Sequence, residues 1–172
     1  MNDEGRSIDR YVVRTAAQTD EEQVAISHPL AENTRMQLLP LSERVGLSRL
    51  GLSIASLAPG NQSFLPHAHT AQEEFVFVLS GTGVLVIDGE ETAVSTGDFV
   101  GFPTDGSAHQ LRNDGTSDLV YLMGGERTAT DVVHFPTLNK KGFWTNGAMH
   151  YVDVGDLQIM EPVDFVCPKD SA

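Results

Sequence analysis

His67-Ala68-His69 sets two imidazoles two positions apart, so on an extended chain both point to one face and reach a common point. Glu74 follows after Thr70-Ala71-Gln72-Glu73 and heads the apolar run Phe75-Val76-Phe77-Val78-Leu79. A carboxylate there is costly unless a cation meets it. His109 opens a later strand, and an antiparallel barrel can bring such distant strands together. Three imidazoles and one carboxylate suit a divalent transition metal, whether Mn, Fe, Co, Ni, Cu or Zn, and disfavour Ca and Mg, which prefer oxygen donors. Four protein ligands on an ion that accepts five or six leave room for water or substrate, as a catalytic site requires. Spacing alone leaves open a plainer reading, in which His67 and His69 are loop histidines.

Strands must position these groups. Leu50, Leu52 and Ile54 alternate with Gly51 and Ser53, the period of a half-buried strand, and Pro59-Gly60 ends the pattern. Glu74–Leu79 and Val84–Ile87 are β-branched and aromatic, with a turn at Ser80-Gly81-Thr82-Gly83 and a two-residue hairpin signal at Asp88-Gly89. Thr92–Val94, Phe99–Phe102, His109–Asn113 and Leu119–Met123 continue the series, and no amphipathic helix interrupts residues 47–124. The fold class is therefore all-β and antiparallel, a barrel or sandwich over 47–124. Residues 1–46 read as an irregular N-terminal arm that packs on the barrel or on a partner. Residues 125–172 read as an irregular C-terminal tail of the same domain, in which Tyr151–Val154 is a candidate final strand. Trp144 reads as core or dimer-interface packing rather than as a ligand-stacking residue.

Composition narrows the partners. The 172 residues are 40% hydrophobic and carry Lys+Arg 11 against Asp+Glu 24, a formal net charge of -13. One domain with a sizeable core fits that length. So acidic a surface repels phosphate backbones and anionic bilayers, which argues against nucleic acid and membranes and for a small-molecule ligand. Cys167 is the single cysteine, so a reducing compartment is expected. The first residues lack an apolar stretch and no long apolar run occurs, so the expected location is cytoplasmic. Exposed sheet edges and the Phe143-Trp144 pair suggest a homodimer.

The punctuation around the ligands resembles the cupin family. Its first motif is matched by Gly60, His67, His69, Glu74 and Gly81, and its second by Gly97, Pro103, Gly106, His109 and Asn113. Two turns depart from the pattern: six residues rather than five separate Gly60 from His67, and two rather than one separate Pro103 from Gly106. The ligand-to-ligand spacings are intact. The resemblance implies a double-stranded β-helix, a jelly roll closed into a small barrel, with His67, His69, Glu74 and His109 as metal ligands and Gly81, Gly97 and Gly106 in turns that need positive φ.

Around that centre, Glu73 and Tyr121 are the candidate catalytic residues. Glu73 is either a base beside the metal, an alternative to Glu74 as ligand, or an outward solvated carboxylate. Tyr121 faces the cavity only if strand parity favours it over Leu122. Gln110 and Arg112 alternate away from His109 and are expected outside. His134 and His150 read as surface or interface residues, and His28 carries the weakest signal.

Three functions of different classes follow. The leading reading is a metal-dependent isomerase or epimerase of a sugar or sugar phosphate, which would use the metal on the carbonyl and a base on the neighbouring carbon, with the next two as alternatives. Its phosphate would need cationic anchors, and Arg35, Arg44, Arg49, Arg112 and Arg127 form no cluster in sequence. An Fe-, Ni- or Cu-dependent dioxygenase would take an enol or diketone into an apolar pocket, for which Val76, Val78, Val84, Val86, Leu111 and Leu122 are candidate walls. A noncatalytic cupin would bind a small molecule or sugar. Fold alone does not choose among them.

Overall fold

A computed structural model of the protein describes residues 8–17, 22–145, 147–158 and 160. Cys167 lies outside the described residues.

The described chain is all-β. Strands β1 (Val24–Ser27), β2 (Arg35–Pro40), β3 (Leu50–Leu57), β4 (Ala68–His69), β5 (Glu74–Ser80), β6 (Thr82–Ile87), β7 (Glu90–Ser95), β8 (Phe99–Phe102), β9 (His109–Arg112), β10 (Leu119–Glu126), β11 (Thr130–Phe135), β12 (Lys140–Thr145) and β13 (Ala148–Asp153) follow one another. One short helix, α1 (Ser42–Val45), joins β2 to β3. The largest sheet has the order β1-β2-β3-β10-β5-β8, a second runs β13-β12-β11-β4, and a third runs β7-β6-β9. These antiparallel sheets form the cupin barrel that the sequence motifs imply.

Local chemistry explains the turns. Asp88 (φ 50°) and Gly89 (φ 88°) both take positive φ, as the two-residue hairpin between β6 and β7 demands. Gly81 has φ 87°, and a Cβ there would lie 2.4 Å from the Asp118 carbonyl oxygen, so β5 can turn into β6 only through glycine. Asn113 is wholly buried. Its amide donates to the carbonyls of Leu57 (2.6 Å) and Ser117 (2.9 Å), while its Oδ1 accepts from the Gly115 N–H (2.9 Å). This motif asparagine ties the β9–β10 turn to β3.

Strand β10 is the spine. Tyr121 pairs with Ala55 of β3 and with Val78 of β5, and the register shifts between Val120 and Tyr121. Met36, Ala55, Leu57, Val78, Leu85, Leu111, Leu119 and Tyr121 pack into one core. Each fully buried large side chain there contributes about 1.5–3 kcal/mol.

Arm and tail are more regular than the sequence suggests. β1 and β2 extend the largest sheet, with Leu38 paired to Ala55 across the boundary drawn at residue 46. The tail folds into β11, β12 and β13, where Val133 pairs with His69 of β4. Alternation was hard to read in both segments because their strands are broken by Pro29, Pro136 and short polar turns.

Candidate metal centre

Three sheets bring the predicted ligands together. His67 and His109 face each other across a β-bridge, with N–H to carbonyl bonds in both directions (His109 N to His67 O 2.9 Å; His67 N to His109 O 3.3 Å). His69 stands on β4, pinned by the tail strand β11. Glu74 opens β5 opposite Phe102 and beside Gly125, where a Cβ would press to 2.9 Å from the Glu74 Cγ. Glycine at 125 leaves the carboxylate its space.

The three Nε2 atoms converge on one oxygen. Glu74 Oε2 lies 3.7 Å from His67 Nε2, 3.3 Å from His69 Nε2 and 3.2 Å from His109 Nε2. The donor atoms of His67, His69 and Glu74 all lie within 4.8 Å of one another, as a shared ion requires, and His109 joins them through Glu74. The opposite ring nitrogens are anchored. His67 Nδ1 is 2.7 Å from the Leu65 carbonyl, an acceptor, so Nδ1 carries the hydrogen and Nε2 presents its lone pair inward. His69 Nδ1 is 2.5 Å from Asp131 Oδ2, which sets the same tautomer. The His109 ring lies flat on Phe102, centroids 3.9 Å apart. Two oriented lone pairs, a third imidazole and a carboxylate fit a divalent transition metal.

Electrostatics agree. Burial would raise the Glu74 pKa, but the imidazoles of His109, His67 and His69 gathered around it hold it well below the carboxylate range. Burial lowers the His109 pKa, partly opposed by Glu74, and this favours the neutral ligating imidazole. Burial also opposes ionisation of Asp131, yet its bonds to His69, the Ala71 N–H and Thr70 win and keep it ionised.

The group forms part of the wall of a cavity of about 690 Å3. Phe64, Phe75, Phe102, Phe135, Trp144 and Tyr151 put aromatic rings on its largely apolar wall, and Gln72, Gln110 and Thr128 supply neutral polar groups. Among the described residues Arg127 is the sole Lys or Arg on that wall, and its guanidinium is paired with Glu43.

Other predicted residues fall as follows. Tyr121, not Leu122, reaches the cavity; it is buried, its hydroxyl lies 4.0 Å from Met36 Sδ, and burial raises its pKa, so it stays a neutral phenol. Glu73, just before β5, is exposed and off the cavity wall. It is placed neither to ligate nor to act as a base there. Gln110 corrects the expectation of an outward side chain: it is buried, and its amide donates to the Phe64 carbonyl at 2.7 Å, because the loop before His67 covers the second face of β9. Arg112 does face outward, paired with Glu91 and Asp114. Val76 and Leu111 line the cavity, whereas Val78, Val84, Val86 and Leu122 do not. Trp144 lines the cavity as well.

Asp131 has no place in the sequence reading, Tyr151 appears there only as part of a strand, and His28 is the histidine ranked weakest, yet all three stand at the site. Nothing near them in sequence signals a site, and each acts on partners 62 or 123 residues away.

A model of the cupin domain matches residues 53–125. The chain is 32% identical to a candidate sugar phosphate isomerase of Acidithiobacillus ferrooxidans, whose crystal structure superposes with a TM-score of 0.84 over 90% of this chain and 99% of that one. A sugar phosphate isomerase of the cupin superfamily from Silicibacter pomeroyi is 26% identical, with a TM-score of 0.71 over 80% and 90% of the two chains. Tetracenomycin polyketide synthase protein TcmJ of Streptomyces glaucescens is 32% identical over 103 residues, 60% of this chain. The matched stretch spans 66% of that curated relative, just under two thirds of its length.

Proposed function

This chain belongs to the cupin family, and from that premise we propose that it is a metal-dependent enzyme acting on an uncharged small molecule that chelates through two neighbouring oxygens, an enol or diketone. The observation that carries this reading is the convergence of three imidazole Nε2 atoms and Glu74 on the wall of an apolar cavity in which Arg127, the one Lys or Arg among the described lining residues, is engaged by Glu43. When bound, a divalent transition metal supplies Lewis-acid polarisation of a chelated carbonyl and, if it is Fe, Ni or Cu, access to dioxygen. His67, His69, Glu74 and His109 would hold it. The aromatic wall would exclude water and seat the carbon framework, and Gln110 and Gln72 would orient polar groups.

Dioxygenase chemistry is favoured over aldose–ketose isomerisation because, among the described residues, no free base lines the cavity. Glu73 points away, Asp131 is held by His69, Thr70 and Ala71, and Tyr121 is a neutral phenol. Among the described residues a phosphate would meet no unpaired cation on the wall, in a protein of net charge -13. The likeness to the Acidithiobacillus ferrooxidans protein favours a second reading, an isomerase of an unphosphorylated sugar. We further propose a cytoplasmic location and a homodimer; among the described residues no helix is long and apolar enough to cross a membrane.

Metal analysis of protein purified without a chelating tag, followed by oxygen uptake with a panel of 1,3-diketones and enols, tests the reading. Oxygen consumption that requires Fe(II), Ni(II) or Cu(II) is expected. Aldose–ketose conversion under anaerobic conditions, without oxygen uptake on the panel, would replace it by the isomerase.

A further inference from the structure

The tail and the arm meet on the same cavity wall. His28, buried in the arm, and Tyr151 of β13 both line it, with Tyr151 Oη 3.2 Å from His28 Nε2. The direction of that bond follows from a third group. The Leu30 backbone N–H, which can only donate, lies 3.2 Å from His28 Nδ1. Nδ1 must therefore be the unprotonated nitrogen, and Nε2 carries the hydrogen. The Tyr151 oxygen accepts that hydrogen, and its own O–H keeps its hydrogen for another acceptor. Among the described residues no second partner takes it. A half-buried phenol that faces a cavity in this way is free to donate to whatever occupies the cavity.

Phe135 sets the spacing. Its ring centroid lies 5.6 Å from Tyr151, 5.7 Å from His28 and 6.1 Å from His67, on which it stacks. Along this wall the metal group and the tyrosine are thus separated by one aromatic ring. Trp144 and Met149 supply further apolar surface on the wall.

We propose that Tyr151, oriented by His28, donates its O–H to an acceptor oxygen on the end of the ligand remote from the chelating oxygens. This inference rests on the proposed chelation of an uncharged ligand by the metal group and extends it. The ligand class is an elongated, flat molecule with a chelating enol–carbonyl at one end, a carbon framework lying along Phe135, and a carbonyl oxygen at the other.

The test uses zinc-loaded protein, in which the ion has no redox chemistry and the probe is not turned over. The probes are 1-phenylbutane-1,3-dione and 1-(4-acetylphenyl)butane-1,3-dione, read by isothermal titration and by quenching of Trp144, the single tryptophan of the chain. Wild-type protein should bind the acetyl probe roughly three- to tenfold more tightly than the phenyl probe, the worth of one buried hydrogen bond. Tyr151→Phe should abolish that advantage while binding the phenyl probe as wild type does, which also shows that the cavity is intact. Equal affinities for the two probes in wild type, or an advantage that survives Tyr151→Phe, would overturn the assignment of Tyr151. If neither probe prefers zinc-loaded over metal-free protein, the chelation reading itself falls, and this inference with it.

Discussion

Asp131 accepts a hydrogen bond from His69 Nδ1 at 2.5 Å with one carboxylate oxygen, and with the other it receives the N–H groups of Thr70 (3.1 Å) and Ala71 (2.9 Å). One buried residue of β11 therefore fixes both the ring of His69 and the backbone that follows it. Carboxylate and imidazole act as a unit, since the lone pair offered by Nε2 depends on which atom holds the Nδ1 hydrogen.

Asp131→Asn should separate these two tasks. Its Oδ1 can still receive the Thr70 and Ala71 N–H groups, but its amide would face His69 Nδ1 and donate, moving the ring hydrogen to Nε2. Metal affinity should fall by roughly 10–100-fold with the circular dichroism spectrum unchanged. Competition against a fluorescent chelator measures it, and wild-type affinity in the variant would remove Asp131 from the centre.

His67→Ala and His109→Ala should each strip the metal and abolish activity while the barrel stays folded, because the core around Tyr121, Leu57 and Leu119 does not depend on an ion. Elemental analysis and thermal melts check both halves. Unfolding of both variants would show that the ligands are structural.

Acid should destabilise the metal-free protein in a defined direction. Glu74 and Asp131 both have lowered pKa values in the fold. Their contribution to stability is thus complete above the unfolded carboxylate range of about 4 and is lost as pH falls through the lowered folded values. Melting temperature should start to fall below about pH 6.5, where protonation of His109 favours the unfolded chain, and fall further below the carboxylate range. Asp131→Asn should flatten the drop, and a variant profile parallel to wild type would contradict the mechanism.

Gly81→Ala should cost about 2–4 kcal/mol, since the residue holds φ 87° and its new methyl would meet the Asp118 carbonyl oxygen. Urea unfolding is the measurement. Gly97→Ala, where φ is also positive but the space around the Cβ is open, should cost less.

What the amino-acid order determined by itself was local. The two-residue spacing of His67 and His69, the carboxylate of Glu74 before an apolar strand, the Asp88-Gly89 hairpin and the glycine turns depend on neighbours only a few residues away. Each could therefore be read as chain geometry, and the barrel of residues 47–124 followed from their repetition. Tertiary structure alone decided which faces were covered and by what. Gln110 lies on the alternate face of β9, yet the preceding loop buries it. Asp131 reaches His69 across 62 residues, and Tyr151 meets His28 across 123. Periodicity reports which side chains share a face but carries no information about the sheet laid against that face, and so the lining of the cavity waited on how the arm and tail packed against the barrel.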